Sequence, residues 1–240
     1  LEEERFEAFE VLYRLLHISR LPVSLAKADG CYLEQYYEHA VRQGGRVRSR
    51  LRRNVEEALR ILGNGFLSYP GNTHLRGRVR AWLRGEEGQA EPLSAEELYR
   101  ELLRLVYRFL FLLVAEERGL MSDHPLYRLP YGYGLERLRR LVLSRRARTD
   151  HTDLWQGLRV LWKALSNESL GQYLKLPPLN GDLFRPQVLD TCLITNRALL
   201  EAFWHLVYFY DEGSGGVRRI SYSALDVEEL GSVYEGLLEY

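Results

Sequence analysis

Apolar residues recur at three- and four-residue steps along most of the chain, the spacing of one helical face. Phe6, Phe9, Tyr13 and Leu16, with Leu12 beside them, predict a helix over Leu1–Arg20 that Pro22 ends. A tyrosine-rich helix follows over Asp29–Gln43, closed by Gly44-Gly45. Val47, Leu51, Val55, Leu59 and Leu62 make one stripe over Arg46–Leu62. Gly63–Thr73 then reads as a loop, Leu75–Leu83 as a short basic helix and Gly85–Pro92 as a polar linker.

The strongest pattern starts at Ser94. With Glu97 three residues on, it predicts a capping box: the serine oxygen accepts from a free backbone N–H and the glutamate reaches back. Leu98, Leu102, Leu105, Val106, Phe109, Leu112 and Leu113 continue the stripe. Phe109–Ala115 is apolar all round, which predicts a central core element ending at Glu116-Glu117-Arg118 before Gly119. Further helices are predicted over Leu135–Ala147, Leu154–Asn167 and Thr195–Asp211. Leu176–Pro186, with Pro177, Pro178, Gly181 and Pro186, predicts an irregular crossing. Gly213–Gly216 predicts a flexible loop, and Val217–Tyr222 is the one convincing strand-like stretch. Asp226 and Glu229 cap a final helix. The expectation is a mainly α, multi-helix fold with at most a short strand pair near residues 217–222, divided into 1–90 and 91–240.

Composition bounds this picture. The 240 residues are 46% apolar, 12% aromatic and 28% charged, enough for a packed core and unlike a disordered polymer. No apolar run reaches the roughly 20 residues of a membrane span, and no signal peptide opens the chain. A first residue of Leu1 rather than Met suits a piece of a longer polypeptide. Cys31 and Cys192 have no metal-ligand spacing and read as reduced core thiols of a cytoplasmic protein.

The formal net charge is zero, but it is unevenly spread. Residues 1–39 are acidic, while 40–84 carry a dense arginine run against only Glu56 and Glu57. At 100° per residue, Arg46, Arg50, Arg53 and Arg60 fall opposite the stripe of their helix. That face suits a phosphate backbone; it equally suits a solvated surface on which Glu56 and Glu57 pair Arg53 and Arg60. A second basic cluster is Arg137, Arg139, Arg140, Arg145, Arg146 and Arg148. The preference for arginine over lysine fits phosphate contact, and it fits the codon usage of a GC-rich genome as well.

Several common active sites are missing. No Gly-Lys pair exists for a P-loop. Leu25, Leu161 and Tyr173 precede the lysines where a PD-(D/E)xK nuclease needs a carboxylate. The six histidines are isolated, with no metal-ligand spacing. There is no Gly-x-Ser-x-Gly elbow. Leu176-Pro177-Pro178-Leu179 has leucines where the catalytic loop of amino-methyltransferases needs an amide or carboxylate and an aromatic. The segment itself reads as non-catalytic.

Three stretches carry a resemblance. The core of the first is Leu230-Gly231-Ser232-Val233-Tyr234-Glu235-Gly236-Leu237-Leu238-Glu239, within Arg219–Tyr240. The second is Tyr99–Leu120, with Leu105-Val106-Tyr107-Arg108, Phe111-Leu112-Leu113 and Ala115-Glu116-Glu117-Arg118-Gly119-Leu120. The third is Gly181-Asp182-Leu183-Phe184. Together they resemble the helical region that precedes the methyltransferase domain of large fused restriction-modification proteins, the type IIG-like enzymes and phage-defence adenine methyltransferases of BREX- and DISARM-type systems.

The resemblance implies that 91–240 is a connector leading into a methyltransferase domain absent from this chain, with Leu230, Gly231, Tyr234, Glu235 and Gly236 as its motif. It implies no catalytic residue and no cofactor here. S-adenosylmethionine would be bound by the parent, which would methylate adenine N6 in duplex DNA after base flipping. The implied partners are duplex DNA, with Arg46, Arg50, Arg53 and Arg60 on its backbone, and the remaining domains of the same polypeptide. A helical protein–protein scaffold of a defence complex, without DNA contact, is the rival reading. An enzyme whose site is assembled from scattered residues is a third.

Overall fold

A computed structural model describes residues 10, 13, 17, 51–85, 91–176, 179, 182–211 and 215–222. The chain divides into two compact units, Leu1–Leu51 and Arg52–Tyr240. In the first, Glu10 and Tyr13 are helical, and the rings of Tyr13 and His17 meet edge-on at 5.3 Å. The second unit is mainly helical with a single two-stranded antiparallel sheet among its described residues, as the apolar spacing predicts.

In the second unit α1 covers 52–68, burying Val55, Leu59, Leu62 and Phe66 at helical spacing. It runs through Gly63, Asn64 and Gly65, where the composition predicts a loop. Packing overrides the local preference: Gly65 lies so close to the next layer that a β-carbon would stand 2.7 Å from Ile194 and 2.9 Å from Ala198. At the next residue, Phe66 meets Trp155 edge-on at 5.1 Å. These contacts outweigh a helical glycine's cost of about 1 kcal/mol. The carbonyls at the end of α1 are taken by side chains. Asn72 donates to Phe66 O at 2.8 Å and Leu193 O at 2.7 Å, and Arg76 donates to the carbonyls of Leu67, Tyr69 and Pro70. α2 (Thr73–Arg84) ends on Gly85 at φ 66°, a left-handed cap that glycine takes without strain.

α3 (Ala95–Glu117) is the central element. Its capping box forms as predicted, Glu97 N donating to Ser94 Oγ at 3.0 Å and Ser94 N to Glu97 Oε2 at 2.8 Å. Phe109 sits between Trp162 and Phe203, at ring distances of 5.7 and 5.5 Å. Phe111 departs from the all-round core expectation: it is 40% exposed and leans on Phe184 from outside. After the single turn of α4 (Pro125–Arg128) comes α5 (Glu136–Leu141), shorter than the predicted Leu135–Ala147. Leu138 and Val142 face inward, but Leu143 is exposed and the arginines beyond it offer no further apolar step.

α6 (Asp153–Ser166) packs Trp155, Leu158, Leu161, Trp162 and Leu165 inward, and α7 (Glu168–Gly171) follows. Among its described residues the crossing predicted over Leu176–Pro186 holds a 3-10 turn at Asp182–Phe184, and a second turn follows it at Val188–Thr191. Arg108 of α3 pins that crossing from inside the core. Fully buried, it donates to Leu183 O and Asp190 Oδ1, each at 2.8 Å, and to Arg185 O, with its guanidinium 5.5 Å from the Trp162 ring.

α8 (Asn196–Val207), capped by Thr195, stops short of the predicted Asp211. Tyr208–Asp211 is instead β1, paired antiparallel with β2 (Gly216–Arg219) in the register Tyr208↔Arg219 to Asp211↔Gly216. The Tyr-Phe-Tyr run is apolar enough to extend a helical stripe, yet aromatics favour a strand once a partner is present. Ile220 N returns to Val207 O at 2.8 Å, closing the hairpin onto the helix it leaves. No helix among the described residues is long and apolar enough to cross a membrane.

Candidate functional site

The basic face is the first place to look. Arg46 and Arg50 lie outside the described residues, as do Leu230, Gly231, Tyr234, Glu235, Gly236 and Cys31. Arg53 is exposed on α1. Arg60 is exposed too, but its Nε donates to Glu57 Oε2 at 2.9 Å, which holds the Glu57 carboxyl below its usual range. Glu56 pairs Arg52 at 3.1 Å rather than Arg53. Farther along, Arg76 and Arg78 bind backbone carbonyls, so part of the arginine run serves the fold.

The second basic cluster divides in the same way. Arg137 pairs Asp153 at 3.3 Å, Arg140 pairs Glu136 at 3.1 Å, and Arg139 is buried; Arg145 and Arg146 are exposed.

A dense polar arrangement lies at the C-terminal end of α3. Glu116 Oε1 accepts from Tyr127 Oη and Leu135 N, both at 2.8 Å. Its neighbour Glu117 turns to the hairpin, Oε1 accepting from Arg219 Nη2 and Oε2 from Tyr222 N, both at 2.7 Å. Arg139 reaches in between, its Nη1 3.5 Å from Glu116 and its Nη2 3.9 Å from Glu117. Burial pushes the Glu116 carboxyl above its usual range, against the opposing pull of the Leu135 N–H, Arg139 and Tyr127. It pushes the Tyr127 phenol up as well.

A half-open cleft of about 350 Å³ borders this cluster, lined among others by Glu116, Ser122, Tyr127, Arg128, Arg139 and Arg140. The Tyr131-Gly132-Tyr133-Gly134 loop folds back beside it. Gly132 N bonds Leu129 O at 2.7 Å and Gly134 N bonds Tyr127 O at 3.0 Å. A β-carbon at Gly132 would lie 2.5 Å from Tyr127 O, so this approach requires glycine. Tyr131, 91% exposed, is held at the tip.

In the sequence Glu116 and Glu117 mark a helix end and fall within a motif, and neither they nor Tyr127 stand out as site residues. A signal was present. Two adjacent carboxylates at a helix C-terminus, with no basic residue in the last turn, oppose the helix dipole and need cations from elsewhere.

Cys192 is buried, with Sγ 3.7 Å from His74 Nε2. Burial pushes its thiol up, which suits the predicted core thiol rather than a nucleophile. No group of acidic, histidine or cysteine side chains suited to a metal occurs among the described residues. Comparison of the chain with protein-family models, with curated proteins and with solved structures finds no match.

Proposed function

We propose that this chain is the non-catalytic helical connector and DNA-positioning segment of an adenine-specific DNA methyltransferase of restriction-modification or phage-defence type. In this reading S-adenosylmethionine belongs to the parent's catalytic domain and the protein is cytoplasmic. One observation carries it. Segments that separately resemble that family are tied to one another. Arg108 of the Leu105–Arg108 motif donates to Leu183 in the Asp182-Leu183-Phe184 motif. Glu117 of the Ala115–Leu120 motif accepts from Arg219 and Tyr222, which open the stretch leading to Leu230. Such a junction fixes where the outgoing chain leaves the helical core.

DNA contact in this reading falls to Arg46, Arg50 and Arg53, with Arg60 able to exchange its exposed partner for a phosphate, since such surface pairs contribute little. The test is duplex-DNA binding across a salt series, with Arg46, Arg50 and Arg53 changed together to alanine. Binding that weakens steeply with salt, and less steeply in the variant, supports the reading. No binding at low salt removes the DNA-positioning part. A scaffold role would then be favoured by the exposed apolar side chains of Leu126, Leu129 and Tyr131.

A further inference from the structure

The second basic cluster carries more charge than its own stretch neutralises. From Glu136 to Asp153 the chain has six arginines and three acidic residues. Each acid is already engaged. Glu136 meets Arg140 at 3.1 Å and Arg139 at 3.7 Å, Asp153 meets Arg137 at 3.3 Å, and Asp150 meets Arg197 of α8 at 3.4 Å. Arg145, Arg146 and Arg148 remain, with no ion pair or side-chain hydrogen bond among the described residues. Arg145 and Arg146 are exposed; Arg148 is half-buried and brings its two terminal nitrogens to the surface.

The backbone fixes where these three cations stand. Val142 is fully buried just before them, and residues Arg145–Ala147 form a 3-10 turn. Just after them Thr149 O accepts from Arg197 N at 3.0 Å and Thr149 Oγ1 from Asn196 Nδ2 at 3.1 Å. His151 O then accepts from Asn196 N at 2.7 Å. The turn is thus held to the core on one side and to the start of α8 on the other. Arg148 N bonds Arg145 O at 3.3 Å, and a three-residue repeat starts their side chains on one side, about 6 Å apart. That is close to the distance between neighbouring phosphates along one strand. The guanidinium fork matches phosphate oxygens in pairs.

The surroundings narrow the occupant. A protein partner of ordinary kind needs apolar side chains at the centre of its contact, and a membrane surface needs an apolar face to bury. Between Glu136 and Asp153 the one exposed large apolar side chain is Leu143. We propose that the Arg145–Arg148 turn is a second nucleic-acid contact, in which Arg145, Arg146 and Arg148 hold backbone phosphates of duplex DNA without reading its bases. It rests on the proposed function only in that this chain meets DNA, and it shares no residue with the Arg46–Arg60 face.

The test is binding of the 240-residue protein to a mixed-sequence DNA duplex across a salt series. Arg145, Arg146 and Arg148 changed together to alanine should lower the slope of log affinity against log salt by about 2–3, close to one unit per phosphate lost. The same three changed to lysine should keep most of the slope, since lysine holds phosphate as a point charge. An unchanged slope in the folded alanine variant overturns the proposal and leaves the Arg46–Arg60 reading standing. A slope that falls in this variant and not in the Arg46, Arg50 and Arg53 variant supports the turn and removes the other face. No DNA binding by the native protein at low salt overturns both. Should the triple variant not fold, Arg145→Ala with Arg146→Ala, both exposed, decides: the slope should fall by about 2, and no fall overturns the proposal. Poly-glutamate and anionic lipid vesicles are run beside the DNA. Binding of either through these arginines, with DNA indifferent to them, also overturns it.

Discussion

At the scale of single residues, Arg108 and Glu116 show how burial changes what a charged side chain does. Arg108 is fully buried, and each arm of its guanidinium has an acceptor. Arg108→Ala would leave Asp190 without this partner and strip two carbonyls of their donor. A loss of about 3–5 kcal/mol in a denaturant melt is expected, as for breaking a buried pair from one side. Glu116 has the opposite sign. Its folded-state carboxyl sits above the ordinary value of 4.5, so as pH rises past that value the unfolded chain gives up its proton first. Its contribution to stability is therefore full below the ordinary value and lost as pH rises through the folded one. Glu116→Gln removes this dependence, so the variant's stability relative to the native protein should be greater at about pH 7 than at about pH 4. Denaturant midpoints at the two pH values check it. Neither role was legible from composition: Arg108 looks like any solvent-side arginine in a motif, and Glu116 becomes special only once Tyr127, Leu135 and Arg139 close around it.

At the scale of elements, the local chemistry of helix starts was readable and that of helix ends was less so. Ser94 and Glu97 announce the start of α3 because a cap is written in adjacent residues. Ser94→Ala should cost about 1 kcal/mol in a thermal or denaturant melt. The course of α1 through Gly63 and Gly65, and the change from α8 to β1 at Tyr208, depend on residues far away in sequence. In the sequence Gly65 reads as punctuation; in the fold it serves close packing against Ile194 and Ala198. Two substitutions separate these meanings. Gly65→Ala pushes a methyl group against that layer and should destabilise by about 1–3 kcal/mol, despite alanine's better helix propensity. Gly77→Ala in α2 meets nothing within 4 Å and should stabilise by up to about 1 kcal/mol. Melting the two variants side by side gives opposite signs, or the packing account of α1 fails.

At the scale of the molecule, α3 runs through the core of the second unit and receives the rest at its two ends and along its length. Its class was legible because apolar spacing alone specifies a mostly helical chain. Its polar site was not, since Glu116, Tyr127, Arg139 and Tyr222 come from distant positions that only the packed fold collects. Glu117→Ala should free Tyr222 N and Arg219 together, so amide exchange at Tyr222 should quicken while Phe109, deep in the same helix, stays protected. The paired glutamates at the end of α3 also bear on how the chain comes to fold. The helix can start from its own cap, but its last turn carries two negative charges at the negative end of the dipole and no basic residue of its own before the Arg118 cap. The balancing Arg139 and Arg219 leave the ribosome later, one after the other, so a nascent chain ending between them has α3 half finished: begun by local sequence, frayed at its exit, and closed only when the hairpin arrives.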